Sequence, residues 1–137
     1  MKKGLFVLLA FACLGATVAV AAGPKEDVFK GKLFAPNVIL EHKTELGLSK
    51  QQFTDIRRAV VEVQSNVAEH EWDVAEAYQN IMAELDKSPI DEATVLEHVA
   101  AALRAENEVK KLQVGMLIQL KNLLTDEQIA YLESVRE

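Results

Sequence analysis

Leu48-Ser49-Lys50-Gln51-Gln52-Phe53, followed by an unbroken run to Asp86 without proline or glycine, decides the fold of this 137-residue chain. Ser-x-x-Gln is a capping box. The Ser49 hydroxyl accepts from the Gln52 backbone N–H, and the Gln52 side chain reaches back to the Ser49 N–H. Leu48 and Phe53 occupy the flanking positions of a hydrophobic staple. Beyond the cap, Phe53, Ile56, Val60, Val63, Val67, His70, Val74, Ala77 and Ile81 recur at alternating spacings of three and four. That period is the seam of one long helix.

Lys87-Ser88-Pro89 ends the run, and Ser88 with Pro89 at the first helical position can start the next helix. The second helix is expected from about Pro89 to Leu123. Its seam is Val95, Val99, Ala102, Glu106, Val109, Gln113, Met116, Leu120 and Leu123. Two long helices joined by so tight a turn lie antiparallel. A second capping box follows as Leu124-Thr125-Asp126-Glu127-Gln128-Ile129, with Leu124 and Ile129 as the staple. It opens a short last helix. Upstream, Pro36 opens a short helix that stops at Gly47. The expected fold is all-α: a long antiparallel hairpin with a short helix at each end, four helices in all. The helical domain is expected to span 35–137, after a flexible lead-in over 23–34.

The N-terminal residues 1–22 read as an export signal. Lys2 and Lys3 precede an apolar run from Gly4 to Val20, and small residues at Ala19, Ala21 and Ala22 precede Gly23-Pro24. Left uncut, the run would be a membrane anchor, and only that form would touch a membrane. Cys13 is the only cysteine and lies within it, so no disulfide framework and no thiol nucleophile are expected. Loss of Lys2 and Lys3 takes the formal charge from −6 to −8. So acidic a chain has no footprint for nucleic acid.

The hairpin has more apolar surface than one seam uses. Trp72 and Met82 on the first long helix, and Leu96 and Leu103 on the second, lie off it. A two-helix layer cannot bury both of its faces. These residues are the candidate face for a homodimer or for client chains.

The two capping boxes, Leu48-Ser49-x-x-Gln52 and Leu124-Thr125-x-x-Gln128, resemble the paired Leu-Thr-x-x-Gln motifs of the Spy/CpxP family of periplasmic proteins. Ser49 replaces threonine in the first; the second matches fully. The helix layout and the export signal agree. The resemblance implies a dimeric, cradle-shaped periplasmic protein. It implies an ATP-independent chaperone or envelope-stress adaptor for partly unfolded envelope proteins. A related branch senses heavy metals, which is the alternative expectation. That branch places a His-x-x-x-His pair before its first motif and a His-x-x-x-Met pair before its second, and here the matching slots hold Ile39 and Lys43, then Met116 and Leu120. Glu41, His42 and Met116 remain as candidate ligands of a weak or intersubunit site. No cofactor is expected.

Positions equidistant from Ser88 should face each other across the hairpin. That sets His70 against Glu106, and a polar His–Glu layer would fix helix register. No nucleophile elbow or phosphate-binding glycine loop is present. Enzymatic activity is not expected.

Overall fold

The structure, a computed structural model, describes residues 29–136. The expected export signal and the first part of the expected lead-in fall outside the described residues. The chain is all-α. Helices α1 (Pro36–Glu41) and α2 (Lys43–Leu46) lead into α3 (Lys50–Leu85), α4 (Glu92–Asn122) and α5 (Asp126–Ser134). Helices α3 and α4 run side by side as the hairpin. No described helix is long and apolar enough to cross a membrane.

Among the described residues there are five helices rather than four. The stretch from Pro36 to Leu46 is divided at His42, whose φ of −101° and ψ of 15° leave the helical well. His42 is also where this stretch meets α5. Its ring lies edge-on to Tyr131, with centroids 5.7 Å apart. The start of α4 also differs from the expected Pro89. Asp91 is the cap: it accepts from the Ala93 backbone N–H at 3.1 Å and from the Thr94 hydroxyl at 2.8 Å. A carboxylate that satisfies an orphan donor and a side chain together sets the helix start better than Ser88.

Apolar burial is concentrated at the two ends of the hairpin. At the open end, Phe34, Ile39, Leu46, Ile56, Leu120, Leu124 and Leu132 form one core. At the turn end, Ala77, Ile81 and Ala102 form a second, smaller one. Between them Val63, Val67, His70 and Val74 are only half-buried. The middle of the hairpin is thus a bare two-helix layer, while the short helices wall in the open end.

Residues 29–34, the end of the expected lead-in, are packed. Phe34 is buried beside two cations: Lys121 Nζ lies 5.7 Å and the Arg136 guanidinium 5.9 Å from its ring centre. Lys121 also donates to the Lys32 carbonyl at 2.6 Å.

Candidate functional site

Both capping boxes close at the open end of the hairpin. Ser49 Oγ accepts from Gln52 N at 3.0 Å, and Gln52 Oε1 accepts from Ser49 N at 3.0 Å. Thr125 Oγ1 accepts from Gln128 N at 3.2 Å, and Gln128 Oε1 accepts from Thr125 N at 2.9 Å.

The two boxes then join. Gln52 Nε2 donates to Gln128 Oε1 at 2.8 Å, and Gln128 Nε2 donates back to Gln52 Oε1 at 3.3 Å. Each amide has one proton left. Gln52 gives its own to the Leu123 carbonyl at the end of α4, at 2.9 Å. Gln128 gives its own to the Leu46 carbonyl at the end of α2, at 3.0 Å. Each glutamine therefore caps the start of its own helix and the end of the helix before the other box. Both carboxamides use all their donors and acceptors. Gln128 is the one buried polar residue among those described, and no buried side-chain polar atom there lacks a partner. Of the staple residues, Leu124 is buried, Leu48 and Ile129 pack against the same core, and Phe53 is 40% exposed.

The candidate ligands separate. Glu41 and His42 line a cavity of about 400 Å³ with Phe34, Leu132 and Arg136. The Tyr131 hydroxyl is 3.5 Å from His42 Nδ1. Met116 lines a different cavity, with Pro36, Val60 and Gln113. Among the described residues no three His, Cys, Asp or Glu side chains converge as a metal site.

His70 and Glu106 do not pair as the register rule expects. Glu106 instead accepts from the Tyr78 hydroxyl at 2.9 Å, and His70 Nδ1 lies 3.7 Å from Asp73 Oδ2 on its own helix. The reason is side-chain direction. On each helix the side chain leans toward that helix's own N-terminus, so across an antiparallel pair Tyr78 and Glu106 lean toward one another. The hydrogen bond to the Glu106 carboxylate, then its charge, raises the Tyr78 phenol above its usual value.

The candidate face stands open. Trp72 is 78% exposed, Met82 61%, Leu96 54% and Leu103 52%. Met82, Ala75, Ala68 and Val61 follow one another at seven-residue intervals on α3, as Leu96 and Leu103 do on α4. Met82 with Leu96, and Ala75 with Leu103, lie equally far from the turn. The two stripes flank the seam on one side of the hairpin. Trp72 is elsewhere. It stands two residues from the seam positions His70 and Val74, about 200° round the helix from each, and so points away from α4. Sequence reasoning grouped Trp72 with the other three because all four are off the seam.

No family model, no curated protein and no solved structure matches the chain.

Proposed function

We infer that the protein is an exported, non-catalytic chaperone or envelope-stress adaptor of the Spy/CpxP kind, which holds partly unfolded chains without nucleotide. The observation that carries this reading is the row of exposed apolar side chains, Met82, Leu96 and Leu103, along one side of the hairpin. A row of exposed apolar side chains on one side of a helical layer marks an interaction surface. A homodimer would cover some of this surface, and clients the rest. The paired capping boxes support the same reading, since they weld the short helices to one end and leave the side of the hairpin open. Binding on such a surface is weak and rapidly reversible, because no energy source drives release.

The test is suppression of a model client's aggregation by the purified protein, with chelator and without ATP. Protection near an equimolar ratio supports the reading. Protection that needs added zinc, copper or nickel would replace it with the metal-sensing alternative. No protection in either condition would leave the apolar side with oligomerisation alone.

A further inference from the structure

Between Ala59 and Asp86 the chain has seven acidic side chains and no lysine or arginine. The described ion pairs do little to offset this. Asp73 meets His70, and Glu84 meets Lys87. Glu62, Glu69, Glu71 and Glu76 are exposed and make no ion pair or hydrogen bond among the described residues. Trp72 stands in their midst, at 78% exposure. Glu69 is three residues before it and Glu76 four after, so both carboxylates flank the indole on the same side of α3. Glu71 borders it on the other side.

The indole also has an apolar bed. Ala68 and Ala75 lie one turn before and after Trp72 and are exposed. Val61, 58% exposed, lies on the same line of the helix, about 16 Å back along its axis. Val61, Ala68 and Ala75 belong to the stripe that runs on to Met82, while Trp72 and its flanking carboxylates lie outside that stripe.

We propose that the outward strip of α3 around Trp72 docks a cationic amphipathic segment of another protein. Its lysine or arginine side chains stack on the indole face and pair with Glu69, Glu71 and Glu76. Its apolar side chains rest on Val61, Ala68 and Ala75. The charge argues for this occupant. An indole face attracts a cation, and unpaired carboxylates on both sides strengthen the attraction and repel acidic chains. A second copy of this chain fits less well, because Arg104, Lys110 and Lys111 of α4 are interleaved with Glu106 and Glu108, and Lys121 is engaged by the Lys32 carbonyl. The proposal does not depend on client capture at Met82, Leu96 and Leu103.

Trp72 is the only tryptophan, so its fluorescence reports on this strip alone. The purified protein is titrated with a synthetic amphipathic peptide of leucine and lysine, and with its counterpart carrying glutamate for lysine. The expected result is a saturable blue shift with the lysine peptide, weakened by salt, and none with the glutamate peptide. With a labelled lysine peptide read by anisotropy, Trp72→Ala should weaken binding about tenfold. The double variant Glu69→Gln, Glu76→Gln should also weaken it and flatten its salt dependence. Leu103→Ser should bind as the parent does. Circular dichroism checks that each variant is folded, which exposed positions favour. Equal binding of the two peptides, or unchanged affinity in the double glutamine variant, overturns the proposal. A blue shift that follows protein concentration without peptide also overturns it, in favour of a second copy.

Discussion

At Gln128 one carboxamide bonds four groups drawn from three parts of the chain: Thr125 N, both ends of the Gln52 amide, and the Leu46 carbonyl. Replacing it with alanine removes those bonds and leaves the Leu46 carbonyl and the Gln52 amide short of partners. The loss should be about 2–3 kcal/mol in a urea titration. Gln52→Ala should cost less, because Gln52 is more exposed. The double variant should fall short of the sum by about 1 kcal/mol, since the two residues share a pair of bonds. Costs that simply add would show that the boxes act separately. Tyr78 gives a second residue-scale expectation, in pH. Its folded value is raised by Glu106, so the contact is fully present below the unfolded value. Stability is lost as pH rises through the folded value, above about 10. Tyr78→Phe should remove this contribution at neutral pH and so flatten the alkaline fall, as read by melting temperature against pH. Each box was legible in sequence, because a capping box is local. The Gln52–Gln128 pair was not, because it joins residues far apart in sequence and depends on how α5 folds back. The His70–Glu106 pair was misread because equal distance from the turn locates backbones, not the lean of side chains.

Among the elements, the helices announced by chemistry at their ends were the legible ones. Ser49 and Thr125 each begin a helix where a side-chain oxygen and an N3 glutamine meet. The division at His42 had no such signal, since the stretch holds no proline or glycine between Pro36 and Gly47. The start of α4 was misplaced because Ser88-Pro89 and Asp91 both read as starts, and Asp91 gains two bonds. Gly47 tests the element argument directly. It ends α2 with φ of 59°, and a Cβ there would meet nothing within 4 Å. Gly47→Ala should therefore cost only the left-handed backbone strain, about 1 kcal/mol, and Gly47→Asn should recover part of it. A much larger loss in denaturant titration would mean that the α2–α3 corner is more crowded than the structure has it.

For the whole molecule, stability and the proposed function should divide by place. The open end holds the larger core, where Ile56 and Leu120 are almost fully buried. Leu120→Ala should cost about 3–4 kcal/mol by leaving a cavity. Val67→Ala, in the thin middle of the hairpin, should cost about 1 kcal/mol or less, because a half-buried side chain has less to lose. Leu96→Ser with Leu103→Ser removes side chains that are mostly in water already, so stability should move by less than about 1 kcal/mol. That pair lies on the row inferred to hold client chains, and it should lower protection against aggregation severalfold. A milder core variant such as Leu120→Val should lose stability and keep protection, measured where it remains folded. If both kinds of variant lose protection only as far as they lose stability, the row along Met82, Leu96 and Leu103 is not a working surface. If the serine pair loses protection at unchanged melting temperature, the exposed row is the part of the molecule that acts, and the joined capping boxes are what hold it in place.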